Sequence, residues 1–196
     1  MIIIDYKKGI HPNCGKEFKV VNDIIITPFY TEKFCDELVE MAKFYDDKFS
    51  PSIVYNYLKN GEISSPWNSL YINKVSGIMF EDFVDHYKKD LCPLISNVFA
   101  PEKVKGLFSP FIIKYEKGEK VDIHNDTSEF TMNVKLNTDY KGADLYFPRQ
   151  GFSNKDVPKG WCLIWPSTVT HPHQASELIE GRKYTLASWT YQNPSE

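Results

Sequence analysis

The sequence predicts a mainly β fold, α+β overall, in which short strands of the C-terminal half build a sandwich or barrel and helices of the N-terminal half support it. Three observations predict it. From Leu107 onward, short apolar segments recur between Gly, Pro, Asn and Asp turns, the spacing of an all-β core. Helical three- and four-residue periodicity occurs only before that point. Finally, Phe130, Met132, Val134 and Leu136 alternate with Thr131, Asn133 and Lys135, giving that strand one apolar and one polar face. No internal repeat or linker is visible, so the 196 residues read as one domain, with helical support over about 1–106 and a β core over about 107–196.

Taken in order, Phe18–Ile26 reads as a strand, and Thr31 can cap a helix whose apolar face is Phe34, Leu38, Met41/Ala42 and Tyr45. The span Ser50–Ile72, with Tyr55, Tyr57, Trp67 and Tyr71, has neither periodicity and reads as a long loop or lid. A second helix fits Ile78–Leu91 through Phe80, Phe83, Val84, Tyr87 and Leu91, with Pro93 ending it. The strands that follow are Ser109–Tyr115, Val121–His124, Glu129–Asn137, Asp144–Phe147, Gly160–Trp165 and Lys183–Tyr191.

Composition excludes several functions. Lys and Arg total 23 against 26 Asp and Glu, a net charge of −3, with no basic run that would serve a nucleic-acid surface. Cys14, Cys35, Cys92 and Cys162 contain no C-x-x-C pair, which suits free thiols in a reducing compartment rather than a zinc finger. Met1–Lys8 lacks a signal-peptide core and no stretch approaches a membrane span, so a cytoplasmic protein is expected. Arg occurs only at 149 and 182 among many Lys, a bias that suggests a bacterial or viral genome.

His124-Asn125-Asp126 sets an imidazole and a carboxylate two residues apart, on one face if the backbone is extended. Thr170-His171-Pro172-His173 offers two candidates for a third ligand. Two His and one carboxylate form the facial triad of non-haem Fe(II) oxygenases, although the donor types also suit Zn or Mn. Ten residues after His173, Lys183 opens the last strand, where a fixed cation could hold an anionic cosubstrate, with Thr185 on the same strand face.

These stretches resemble the 2-oxoglutarate- and Fe(II)-dependent dioxygenases, and within them the catalytic domain of procollagen lysyl hydroxylases. The resemblance runs through Phe111–Tyr115, His124-Asn125-Asp126-Thr127-Ser128-Glu129-Phe130-Thr131-Met132-Asn133, Asp139-Tyr140-Lys141-Gly142, Lys159-Gly160-Trp161, Thr170–His173 and Gly181-Arg182-Lys183-Tyr184. It implies a double-stranded β-helix, or jelly roll, holding Fe(II) by His124, Asp126 and His173. The ten-residue step to Lys183 favours His173 over His171. It implies that 2-oxoglutarate and O2 react at the iron to give succinate, CO2 and a hydroxylated C–H bond, with room for ascorbate as an auxiliary cofactor. Lys183 matches the basic residue that takes the distal carboxylate of 2-oxoglutarate. Tyr115, Thr131 and Asn133 match positions in the same pocket, and Arg182 should point outward.

The family pattern has Arg where Lys183 stands in lysyl hydroxylases and Lys in prolyl 4-hydroxylases. The expected substrate is therefore a peptidyl side chain, lysyl-type favoured, with a prolyl or small-molecule hydroxylase as the alternative; no nucleic-acid or membrane partner is expected. A non-catalytic jelly-roll binding module, or a cupin-like metalloenzyme without a cosubstrate, leaves Lys183 without a purpose.

Overall fold

Asn22 and Asp23 both take positive φ, 49° and 61°, and fold the segment expected as one strand, Phe18–Ile26, into a hairpin. Val21 pairs with Ile24 across this two-residue turn, so β2 (Glu17–Val21) and β3 (Ile24–Pro28) are antiparallel, and β1 (Tyr6–Ile10) pairs with β2. Asn and Asp tolerate left-handed backbone better than other non-glycine residues. The apolar runs on both sides hid that signal. The structure, a computed structural model, describes residues 6–10, 15, 17–51, 57–59, 62–64, 67–99, 106 and 110–190.

Helix α1 (Glu32–Phe44) begins where the Thr31 hydroxyl accepts the Phe34 N–H at 3.2 Å. It buries Cys35, Leu38, Val39 and Ala42, with Phe34, Met41 and Tyr45 of the expected stripe at its margins. The span Ser50–Ile72 is not one loop. It contains β4 (Ser50–Pro51), the hairpin of β5 (Tyr57–Lys59) and β6 (Glu62–Ser64), and β7 (Asn68–Tyr71). Strand β7 pairs with β8 (Phe111–Tyr115). It escaped period-2 reading because it is covered on both faces: Leu70 packs toward the helices and Tyr71 into the opposite cluster. Tyr55 lies outside the described residues.

Pro93 does not end a helix. After α2 (Ile72–Val75), α3 (Gly77–His86) runs through a π turn at Tyr87–Leu91 into α4 (Cys92–Phe99). In the π turn the Cys92 N–H reaches the Tyr87 carbonyl, five residues back. The widened turn gives the proline ring space that a regular turn denies it.

The remaining strands are β9 (Val121–His124), β10 (Phe130–Lys135), β11 (Tyr140–Gly142), β12 (Leu145–Phe147), β13 (Phe152–Ser153), β14 (Trp161–Pro166), β15 (His173–Ala175), β16 (Leu178–Gly181) and β17 (Lys183–Trp189). The expected end of the last strand, Tyr191, lies outside the described residues. A nine-stranded sheet has the order β1-β2-β3-β14-β10-β17-β8-β7-β4, a four-stranded sheet the order β13-β12-β15-β9, and β11 pairs with β16. The N-terminal half thus supplies strands of the large sheet as well as helical support.

The alternation in β10 decides what each face meets. Met132 and Val134, with Ile112, Ile164 and Leu186 of the neighbouring strands, pack against Leu38, Phe83 and Leu94 of the helices. The opposite face looks toward the small sheet, where Val121 and Ala175 meet Ile113, Tyr115 and Trp189, and where Leu145 and Phe147 meet Leu163 and Trp165. Thr131, Asn133 and Lys135 project into that interior and are buried there. Among the described residues no helix is long and apolar enough to cross a membrane.

Candidate metal centre

His124 ends β9, Asp126 sits in the turn after it, and His173 opens β15, directly opposite His124 in the strand register. Antiparallel pairing brings two imidazoles 49 positions apart in sequence to a ring separation of 4.3 Å. The Asp126 carboxylate lies between them, with Oδ1 3.6 Å from His124 Nε2 and Oδ2 3.5 Å from His173 Nε2. Ligand atoms of the three side chains all fall within 4.8 Å of one another, close enough to share one ion.

The tautomers suit that role. His124 Nδ1 lies 2.9 Å from the Asp122 carbonyl and His173 Nδ1 lies 3.0 Å from the His171 carbonyl. A carbonyl only accepts, so in each neutral ring Nδ1–H donates and the Nε2 lone pair faces the carboxylate, the outer-shell support typical of metal-binding His. Burial opposes the Asp126 charge, yet the two imidazoles and Thr131 hold its carboxyl below the usual carboxylate range. The imidazoles are pulled apart: for His124 the Asp126 carboxylate outweighs burial and raises the pKa, whereas for His173 burial prevails and lowers it.

His171 does not join the cluster. Its Nε2 donates to the Asn22 carbonyl at 3.1 Å and its Nδ1 accepts from Thr170 Oγ1 at 2.8 Å, so its ring is tied to the β2–β3 turn. Only its carbonyl serves the centre. The two histidines do not share an extended strand because β15 starts at His173.

Trp67, Tyr115, Asn133, Trp165 and Trp189 line the cavity beside the three ligands. The Trp67 ring lies 6.0 Å from that of His124. Thr131 also lines it, but its hydroxyl is directed at Asp126 Oδ2, 2.6 Å away. Thr185 does not line the cavity; its Oγ1 lies 2.7 Å from Asn133 Oδ1 and 2.8 Å from the Val134 carbonyl. Lys183 is buried on the same inward face of β17 as Ala187 and Trp189, and its ammonium donates to the Ala143 carbonyl at 2.6 Å. The rings of Tyr115 and Tyr140 flank that ammonium at 4.9 and 5.9 Å. Burial, reinforced by Lys135, pushes the Lys183 pKa down to about 7. Arg182 points to the other side, half exposed against Glu116 at 2.9 Å, as strand alternation requires.

Sequence reasoning missed the carbonyls of Asp122, His171 and Ala143, which carry no side-chain signal, and the hydroxyls of Ser128 and Ser167 behind Asp126. Ser128 stands inside the quoted motif, so position could have raised it. Ser167 is brought there only by folding.

No protein-family profile matches the chain. Among curated proteins, procollagen-lysine,2-oxoglutarate 5-dioxygenase 1 of Rattus norvegicus is 30% identical over 94% of this chain and 27% of its own length. This chain is similar to part of the procollagen-lysine,2-oxoglutarate 5-dioxygenases. A second such relative, the human 5-dioxygenase 2, is 28% identical over 85% of this chain and 23% of its own length. The chain therefore spans about a quarter of the curated relatives it matches. Among solved structures, a prolyl hydroxylase from Trichoplax adhaerens in complex with a hypoxia-inducible-factor peptide superposes with a TM-score of 0.68, at 16% identity, covering 87% of this chain and 84% of that one. The viral collagen prolyl hydroxylase of Paramecium bursaria Chlorella virus-1, in its 2-oxoglutarate complex, gives 0.62 at 12% identity over 86% of this chain and 94% of that one. The fold is that of these 2-oxoglutarate oxygenase jelly rolls, as the resemblance implied.

Proposed function

We propose that residues 1–196 form a single 2-oxoglutarate- and Fe(II)-dependent oxygenase domain that hydroxylates a peptidyl side chain. The observation that carries this reading is the convergence of His124, Asp126 and His173, with a buried lysine, Lys183, on the inward face of β17. The donor set fits Fe(II): two imidazole Nε2 atoms and one carboxylate, leaving other coordination positions open. When bound, the iron with 2-oxoglutarate and O2 supplies the oxidation that yields succinate, CO2 and the hydroxylated product.

The chain's own groups bind, orient and shield. Asp126 and the two imidazoles hold the ion. Among the described residues no carboxylate lies within ion-pair distance of Lys183, so the distal carboxylate of 2-oxoglutarate is the anion that would restore its full charge. Asn133, fixed by Thr185, and Tyr115 offer polar atoms in the cavity beside the ion, and although Lys183 does not itself line that cavity, its ammonium lies 4.9 Å from the Tyr115 ring. Trp67 and Trp189 keep bulk water from the reacting centre. A lysyl side chain is the favoured target, following the curated relatives; Lys183 matches the prolyl 4-hydroxylase pattern and keeps a prolyl target as the second reading. A reducing, cytoplasmic setting accords with the free thiols Cys35, Cys92 and Cys162.

The test is anaerobic addition of Fe(II) and then 2-oxoglutarate, watching for a charge-transfer absorbance that needs both. Turnover follows as succinate release with lysine- or proline-containing peptides. An absorbance that never appears, despite bound iron, removes the cosubstrate from the reading.

A further inference from the structure

We propose that Ser128, Thr131 and Ser167 form a hydroxyl clamp that positions the Asp126 carboxylate as a metal ligand and locks it to the turn leading to His173. The inference rests on the reading of His124, Asp126 and His173 as metal ligands.

Asp126 comes from the turn after β9 and His173 from the start of β15, and a three-ligand centre works only if both are held within about 0.5 Å of their places. Thr131 stands on β10, opposite Trp165 of β14 in the middle of the large sheet. Its hydroxyl is therefore placed by a rigid strand rather than by a loop. An ionised carboxylate only accepts, so the single Thr131 proton points at Asp126 Oδ2 across 2.6 Å, within the range of charge-assisted bonds. With Oδ2 engaged, the carboxylate is weighted toward binding the ion through Oδ1.

Behind Thr131 the bonds cross to the second turn. Ser128 Oγ lies 3.1 Å from Thr131 Oγ1 and 2.9 Å from Ser167 Oγ. Ser167 Oγ and Thr168 Oγ1 both donate to the Ser128 carbonyl, at 2.7 and 2.9 Å, and the Ser167 N–H donates to the Glu129 carbonyl at 3.1 Å. Since the Thr131 and Ser167 protons are committed, the Ser128 proton is the one left to serve either hydroxyl or the Phe130 carbonyl at 3.0 Å. Ser128, Thr131 and Ser167 are 5%, 3% and 0% exposed. A tight turn needs some of these bonds for its own sake, but only the Thr131 bond ends on a ligand oxygen.

Co(II) titrated anaerobically into the full chain, followed by its visible absorption, tests the clamp, with melting temperature measured in parallel. Thr131→Val keeps the shape and removes the hydroxyl; it should weaken Co(II) about 10- to 100-fold and shift the spectrum. Thr131→Ser should restore affinity to within about 3-fold of wild type, well inside that outer-shell range. Wild-type affinity and spectrum in folded Thr131→Val would overturn the proposal, as would a Thr131→Ser that falls as far as Thr131→Val, which would assign the effect to methyl packing. If Thr131→Val does not fold, Ser128→Ala carries the test, with loss of affinity and an altered spectrum expected and unchanged binding overturning the clamp. A wild-type protein that takes up no Co(II) sinks the metal reading itself, an outcome distinct from either.

Discussion

The two faces of the large sheet are built from the same strands and follow different rules. Toward the helices, β10 presents Met132 and Val134 and β17 presents Tyr184 and Leu186, all in one apolar cluster. Toward the small sheet the same strands present Thr131, Asn133 and Lys135, and Lys183 and Thr185, equally buried. Apolar burial favours the first face by about 25 cal/mol per Å² removed from water. The second face costs stability, because each polar group leaves water and recovers only the bonds the fold provides. Residues on the helix side are therefore interchangeable with apolar residues of similar volume, whereas the inner side is held by specific polar partners: Thr131 and Asn133 line the cavity, while Lys135 and Thr185 are bonded within the protein.

That contrast breaks most sharply at the ligands. His173→Ala should abolish metal binding while leaving the fold intact, and His171→Ala should keep the metal; equilibrium titration of the two variants with Co(II) or Mn(II) compares them. If His171→Ala loses the metal and His173→Ala does not, the division between the centre and the β2–β3 turn is drawn wrongly.

On the helix side, Leu186→Ala should destabilise by about 2–5 kcal/mol, the cost of an apolar cavity, without changing 2-oxoglutarate affinity. Denaturant unfolding measures the first and calorimetric titration of the metal-loaded protein the second.

Lys183→Met sharpens the comparison because the two effects should separate. Loss of a buried charge partner should weaken 2-oxoglutarate by roughly 30-fold or more, while an apolar chain of similar length should leave stability equal or higher. The pH dependence follows with its sign. In the folded, ligand-free protein Lys183 titrates near 7, against 10.5 when unfolded. Above that value the unfolded chain holds more protons, so stability rises with pH. Cys35 and Cys162, whose thiols burial pushes up, act in the opposite sense once pH exceeds about 8.5. His124, whose pKa is raised, opposes this rise just above neutrality, so the test is the difference: between pH 7 and that limit the slope of unfolding stability should be more positive in the wild type than in Lys183→Met, and equal slopes would mean that Lys183 is not the group responsible.

The smallest effect belongs to Arg182→Ala, which removes a half-exposed pair with Glu116. It should cost less than about 1 kcal/mol and leave 2-oxoglutarate affinity unchanged. A large loss of cosubstrate affinity there would place the inward register of β17 one residue off.

The sequence by itself determined the strand-rich C-terminal half, the two faces of β10 and the Thr31 cap, and it singled out His124, Asp126 and Lys183 as candidates, because period-2 alternation, capping chemistry and motif spacing are local properties of the chain. Even the β2–β3 turn was written there, in Asn22-Asp23. Tertiary structure alone decided three things. It made β7 a central element, since a strand covered on both faces has no alternation to read. It carried the helix through Pro93, since a single π turn relieves a clash that local rules treat as a stop. It supplied the geometry that parts His173, already favoured by its ten-residue step to Lys183, from His171, since the pairing of β15 with β9 turns one ring toward Asp126 and leaves the other bonded to Asn22. Contacts between residues far apart in sequence carry no local periodicity, and the bonds of Ser167 to Ser128 and of Lys183 to the Ala143 carbonyl are of that kind; the Asp122 and His171 carbonyls are near neighbours of the rings they hold, but a backbone carbonyl leaves no mark in the sequence.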